Sequence, residues 1–251
     1  MTQRPEYRDG APCWADLATP DLAGAQRFYG GLFGWRFDEP DPKLGNYANI
    51  RKDGQRVAGV MPIMPGQPAT VWSVHLKSSD IDTTERRIKE AGGQVLAKHG
   101  MAAGTTMIAI DPGGASFGVW QPGEFAGAEL FGEPGAMCWH ELHTRDAAAA
   151  DRFYGAVFEH EQAPMQGDGA VDYMIYKSGG EGVVGRMKTD GEEPPHWRTF
   201  FGVADLDAAL AKLGSLAGAL RDGPIETPYG RVARVADPYG AMFLIIEQLP
   251  A

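Results

Sequence analysis

Trp14–Phe33 reads WADLATPDLAGAQRFYGGLF, and Trp139–Phe158 reads WHELHTRDAAAADRFYGAVF. Eleven of the twenty paired positions are identical, and the second stretch begins 125 positions after the first in a chain of 251 residues. A shift of half the chain length marks an internal duplication. Cys13 and Cys138 keep the same spacing, as do Asp80 and Asp205, while Asp111 and Asp237 stand 126 apart.

Each half divides again. In the opening stretch Ala15, Leu17 and Thr19 alternate with Trp14, Asp16 and Ala18, the period of a strand. Asp21 comes next, where a helix N-cap belongs, and Leu22, Ala25, Phe28, Tyr29, Leu32 and Phe33 form an apolar stripe at helical spacing. Asp146 and the residues after it repeat that pattern. Further strands are expected at Val71–Lys77 and Trp197–Val203, each followed by a capping Asp and a helix, with loops at PGQPAT (65–70) and DGEEPP (190–195). Turns at Asp-Pro-Gly-Gly (111–114) and Asp-Pro-Tyr-Gly (237–240) lead into short closing strands, Ser116–Trp120 and Met242–Ile246. This regularity implies four strand–helix–strand units of about sixty residues each.

Composition bounds the function. Hydrophobic residues make up 43% and charged residues 22%, values of a globular protein with a real core. No apolar run approaches the ~20 residues that span a bilayer, and MTQRPEYRDG lacks the apolar segment of a secretory signal. A cytoplasmic protein without a membrane partner is expected. The net charge of −10 belongs to the second half, where residues 126–251 carry 10 basic and 19 acidic groups. Such a surface repels phosphates, so no nucleic-acid partner is expected; a cationic ligand would suit it. The cysteines read as small core residues rather than a disulfide or a metal set. Pro122–Gly135, PGEFAGAELFGEPG, has a linker's composition, with Phe125 and Phe131 packing onto a domain. The expected division is a first domain over 1–124, a linker over 125–135 and a second domain over 136–251.

The pieces DLAGAQRFYGGLFGW, DAAAADRFYGAVF, DPGGASFGVWQ and DPYGAMFLIIEQ recur in order over nearly the whole chain. They resemble the glyoxalase / bleomycin-resistance / extradiol-dioxygenase superfamily, also called vicinal oxygen chelate, in its two-domain bacterial form. The resemblance implies an α+β fold in which four βαβββ units pair into two tandem half-open barrel domains, each enclosing a ligand cavity. It also implies metal positions seven residues before each helix-capping Asp and seven after the Asp of each D-P-x-G turn. Those positions hold Trp14, Ser73, Trp139, Arg198, Gly118 and Leu244. None is a usual ligand for zinc, iron or nickel, so no metal residues and no cofactor are assigned. A slip of one residue would exchange the faces of a strand; burying Asp16 against the apolar helix stripe is costly, which favours the register used here.

In that register the first cavity receives Trp14, Asp16, Ala18, Ser73, His75, Lys77, Ser116, Gly118 and Trp120. The second receives Trp139, Glu141, His143, Arg198, Phe200, Gly202, Met242, Leu244 and Ile246; the middle strands add Tyr47 to the first and Tyr173 to the second. Apolar walls with a few directed polar groups make a small-molecule pocket. The candidate catalytic residues are Asp16 paired with His75 and Glu141 paired with His143, since a carboxylate fixes the imidazole tautomer and yields an acid or base near neutral pH. Trp14, Tyr47, Lys77, Trp120, Trp139, Tyr173, Arg198 and Phe200 are the candidate substrate-binding residues, with the tryptophans as stacking walls; Trp14 and Trp139 would equally serve as core filler at the metal positions. His99, His160 and His196 read as surface residues, and His140 as a half-buried, satisfied one. No glycine cluster stands between a strand and a helix as a nucleotide site would, and no Ser or Cys nucleophile motif occurs.

The expected function is a metal-free lyase, isomerase or hydroxylase-like enzyme acting on a small, oxygenated or aromatic molecule. The alternative is a resistance-type protein that sequesters a drug or metabolite without altering it; a third reading is a pair of non-catalytic interaction modules. The two domains can pair within one chain, so a monomer or a homodimer is expected.

Overall fold

The computed structural model describes residues 6–63, 70–165 and 171–249. The expected loop at 65–70 falls, but for Thr70, outside them. The chain forms two eight-stranded sheets. In the first, β1 (Pro12–Thr19) and β5 (Val71–Lys77) sit at the centre. Beside β1 lie β4 (Gln55–Pro62), β3 (Ala48–Lys52) and β2 (Arg36–Phe37); beside β5 lie β8 (Ser116–Pro122), β7 (Gly104–Ile110) and β6 (Gln94–Met101).

The second sheet repeats this order. Its central strands are β9 (Met137–Thr144) and β13 (His196–Gly202), flanked by β12 (Glu181–Lys188), β11 (Tyr173–Ser178) and β10 (Glu161–Pro164) on one side. On the other side lie β16 (Met242–Gln248), β15 (Gly230–Ala236) and β14 (Ala219–Thr227). Within each sheet the two central strands are antiparallel, and each pairs in parallel with the closing strand of its own unit. Neither sheet closes, so the architecture is two tandem half-open barrels, as the βαβββ repeat implied.

The helices are α1 (Leu22–Phe33), α2 (Ile81–Glu90), α3 (Ala147–Phe158) and α4 (Leu206–Ser215). Local chemistry sets their ends. The Asp21 carboxylate accepts from Gly24 N, and Asp80, Asp146 and Asp205 cap the others in the same way. Gly34 stops α1 in the left-handed conformation, φ 73°, where its N–H reaches the carbonyl of Gly30.

The apolar faces of the helices are buried between the two sheets, and the core is shared by both halves. Phe28, Tyr29 and Phe33 of α1 pack with Phe201 of β13 and Phe243 of β16. Phe153, Tyr154 and Phe158 of α3 pack in turn with Phe117 of β8. At each place a buried polar chain crosses between the halves. Trp72 Nε1 donates to Tyr29 Oη (3.0 Å), whose hydroxyl donates to Asp237 Oδ2 (3.1 Å). Its counterpart runs from Trp197 through Tyr154 to Asp111. The aspartates of the D-P-x-G turns therefore bind the opposite half's helix, beyond the turn-forming role their motif predicts. Asp237 still shapes its own turn by accepting from the backbone of Tyr239 and Ala241.

With the helices between the sheets, the other face of each sheet carries Asp16 and His75 in the first half and Glu141 and His143 in the second. Cys13, Ala15 and Leu17 join the interdomain core, and both cysteines are free and buried. Residues 123–135 pack closely. Ala128 and Leu130 are buried, Trp35 Nε1 donates to Gly135 O (2.7 Å), and Ala128 N donates to Cys13 O. Among the described residues, no helix is long and apolar enough to cross a membrane.

Candidate active site

In both halves a carboxylate is bonded by a tyrosine and a histidine, and a tryptophan bonds that tyrosine. In the first, Asp16 Oδ2 lies 2.8 Å from His75 Nε2. Tyr47 Oη donates to Asp16 Oδ1 at 2.7 Å, and the Trp14 indole N–H is shared between Asp16 Oδ1 (2.9 Å) and Tyr47 Oη (2.8 Å). In the second, Glu141 Oε2 lies 3.0 Å from His143 Nε2 and Glu141 Oε1 accepts from Tyr173 Oη at 2.8 Å. The Trp139 indole donates to Tyr173 Oη at 2.9 Å. Burial and the adjoining carboxylate push both tyrosine hydroxyls well above their ordinary pKa, so they stay protonated and donate.

Two glycines make room for these networks. A Cβ at Gly59 would overlap Tyr47 Oη and Asp16 Oδ1, and one at Gly185 would overlap Tyr173 Oη. Gly59 and Gly185 are the Cα partners of Asp16 and Glu141 in the parallel strand pairs.

The two halves place their histidine at different positions relative to the carboxylate. Asp16 reaches across to β5, where His75 lies against Gly118; a Cβ at Gly118 would overlap the His75 ring. In the second barrel Phe200 stands beside Leu244 at the corresponding pair of positions. The longer Glu141 runs instead along its own strand to His143, which occupies the position of Ala18.

The two sites also differ in access. His75 Nδ1 is buried with no partner among the described residues. Three donors engage Asp16, and Phe125 from residues 123–135 closes its cavity edge-on to Trp14 (4.8 Å) and Trp120 (6.0 Å). Arg56 stacks over Phe125 at 4.3 Å. In the second barrel His143 lies near the end of β9 and stacks on His196, ring centroids 5.3 Å apart. The side chains of His196 and Glu193 are 32% and 56% exposed, so this cavity meets solvent at that end. His196 Nδ1 donates to Pro194 O (2.7 Å), and its Nε2 accepts from Arg198 Nε (2.8 Å), which defines a neutral tautomer. Burial and the Arg198 charge lower its pKa.

The remaining candidates divide. Lys77 does not enter the first cavity. Its ammonium contacts Asp9 Oδ1 (2.5 Å) and Ser79 Oγ (2.6 Å), because residues 10 and 11 bond along the end of β5 and bring Asp9 beside it. Trp120 lines the closed end and donates its indole N–H to Phe125 O. Phe200 packs with Leu244, Ile246 and Cys138 as apolar wall.

Arg198 binds His196 and Glu193 beside the Glu141 dyad. Three histidines depart from the sequence expectation. His196 is part of the second site. His160 is buried, stacked on Tyr176, and lies 3.2 Å from Gly10 O. His140 is fully buried with no partner for either ring nitrogen among the described residues. His99 is exposed on β6, as expected.

The resemblance implies positions for a divalent metal in each barrel. Trp14, Ser73, Gly118, Trp139, Arg198 and Leu244 occupy the positions from which it would be held. No group of three His, Cys, Asp or Glu side chains comes together among the described residues.

A family model for the glyoxalase-like domain matches residues 14–120. The anthracycline biosynthesis protein DauV of Streptomyces sp. (strain C5) is 36% identical, covering 96% of this chain and 94% of its own. The putative glyoxylase CFP32 of Mycobacterium tuberculosis is 35% identical over 100% of this chain and 99% of its own. The chain belongs to the glyoxalase superfamily. Solved members share the fold at low identity. The Mn(II)-bound glyoxalase of Novosphingobium aromaticivorans has a TM-score of 0.68 at 17% identity, covering 98% of this chain and 84% of its own. The 2,3-dioxygenase LapB of Pseudomonas sp. KL28 has a TM-score of 0.69 at 12% identity, covering 97% and 93%. The glyoxalase resemblance therefore holds at the level of family, and the extradiol-dioxygenase likeness at the level of the fold.

Proposed function

We propose that this glyoxalase-superfamily protein is an enzyme that performs acid–base chemistry on a small organic molecule in its second barrel, without a bound metal. The observation that carries the reading is the buried Glu141–His143 pair at an end of the cavity that meets solvent. Tyr173 and Trp139 fix Glu141, and Glu141 fixes the imidazole; the second ring nitrogen, Nδ1, is the atom that would exchange a proton with substrate. Lyase and isomerase steps, which move protons without any change of oxidation state, use such a group. Relatives named as a putative glyoxylase and an anthracycline biosynthesis protein support small-molecule chemistry.

The first barrel favours the alternative, binding without chemistry. There the carboxylate is fully engaged, the free imidazole nitrogen is buried, and aromatic rings form the walls. On this reading Asp16 and His75 shape the cavity and react with nothing. Replacing His143 by Ala should then abolish turnover while sparing ligand binding. If the ligand is never altered and both His143→Ala and His75→Ala only weaken its binding, sequestration is the function. Stoichiometric zinc, iron, manganese or nickel in protein purified without chelators would overturn the metal-free reading.

A further inference from the structure

We propose that the second barrel binds the carboxylate of a small organic acid between Arg198 and Arg234, and that Glu193 occupies this place until the acid displaces it. This names the substrate class for the Glu141–His143 site and rests on that reading only for the chemical step after binding. Glu193 Oε2 accepts from Arg198 Nη2 at 2.8 Å, and Oε1 accepts from Arg234 Nη1 at 2.9 Å, so one carboxylate spans two guanidinium groups. One N–H from each guanidinium meets one carboxylate oxygen, and such charge-assisted bonds are stronger than neutral ones.

Both arginines are more than a surface pair needs. Their side chains are 15% and 24% exposed, and Arg234 Nε is buried with no partner among the described residues. Burial and the neighbouring Arg234 charge weaken the hold of Arg198 on its proton, so the pair needs an anion. The first barrel carries the same Trp–Tyr–carboxylate network but has Ser73 and Ile108 at these positions. The arginines are therefore not required by the fold.

Position and exposure fit displacement. Arg198 is the Cα partner of Glu141 in the β9–β13 pair, so an anion held there lies beside the acid–base dyad. Arg145, two residues after His143, anchors the backbone of the 190–195 loop. Its guanidinium donates to the carbonyls of Gly191 (3.1 Å), Glu192 (2.5 Å) and Glu193 (3.1 Å). The loop's backbone is held while the 56% exposed Glu193 side chain can turn out to solvent. An internal competitor lowers apparent affinity by the fraction of time it occupies the site.

Isothermal titration of the full chain with benzoate, the uncharged benzamide and inorganic phosphate tests this. Benzoate is expected to bind at least about tenfold more tightly than benzamide. Glu193→Gln, on an exposed loop, should tighten benzoate roughly three- to tenfold and leave benzamide unchanged. Arg234→Gln should weaken benzoate by about tenfold. Equal binding of benzoate and benzamide, or a Glu193→Gln change that leaves benzoate unaffected or weaker, overturns the proposal. Phosphate binding that gains from Glu193→Gln while benzoate does not bind would show an inorganic-anion site instead and overturn the carboxylate class. These titrations need no turnover. An intact benzoate response with unaltered turnover in His143→Ala would sink the acid–base reading alone.

Discussion

Tyr29 donates its hydroxyl to Asp237 Oδ2 at 3.1 Å, so a helix of the first half is bound to a turn of the second. The same hydroxyl accepts from Trp72 Nε1 at 3.0 Å. A Tyr29→Phe change leaves a buried indole N–H without its acceptor and Asp237 with one donor fewer. We expect a loss of about 2–3 kcal/mol in unfolding free energy, read by denaturant titration. Tyr154→Phe should behave alike through Trp197 and Asp111. A loss below about 0.5 kcal/mol in both would show that the paired chains do not hold the halves together.

Gly59 and Gly185 allow a comparison of the two barrels. Gly185→Ala would drive a methyl group into Tyr173 Oη, and Gly59→Ala would do so into Tyr47 Oη and Asp16 Oδ1. Each protein should remain folded by circular dichroism. Turnover should fall about a hundredfold or more for Gly185→Ala, the scale of general acid–base assistance. It should persist in Gly59→Ala. The reverse pattern would place the chemistry in the first barrel.

Burial lowers the His140 pKa to about 3 and that of His160 to about 4. An unfolded chain would protonate both near 6.5, the ordinary histidine value. The folded state therefore binds fewer protons across this window. Stability is complete above pH ~6.5 and falls as pH drops toward the folded values, by up to ~1.4 kcal/mol per pH unit for each group. His140→Ala, which copies Ala15 of the first half, should flatten the slope of unfolding free energy between pH 6 and 4 by about one proton's worth. An unchanged slope would mean that His140 is solvated in the folded protein.

The repeat made most of the fold legible. Its strand alternation, Asp caps and apolar stripes locate β1, α1, β9 and α3, because these signals depend on neighbours in sequence. Alternation also put Trp14, Asp16, Glu141 and His143 on the cavity faces, where Tyr47 and Tyr173 join them. Lys77 misled because its partner, Asp9, arrives from a segment with no periodicity. The roles of His196 and Glu193 are not legible in the sequence, because a loop next to a strand end gives no signal of what it covers. The Asp111 and Asp237 links were hidden for another reason. A turn aspartate already has a complete local role, and only the packing of one half on the other adds Tyr154 and Tyr29.

The most direct test of a metal-free second-barrel enzyme is depletion from a complex mixture. A bacterial small-molecule extract would be incubated with wild-type protein, His75→Gln and His143→Gln, each with and without EDTA, and monitored by untargeted mass spectrometry. At least one compound should be consumed by wild-type protein and by His75→Gln, equally with and without chelator, and left untouched by His143→Gln. Consumption by His143→Gln at the wild-type rate, or consumption that EDTA abolishes and added manganese or iron restores, would contradict the account.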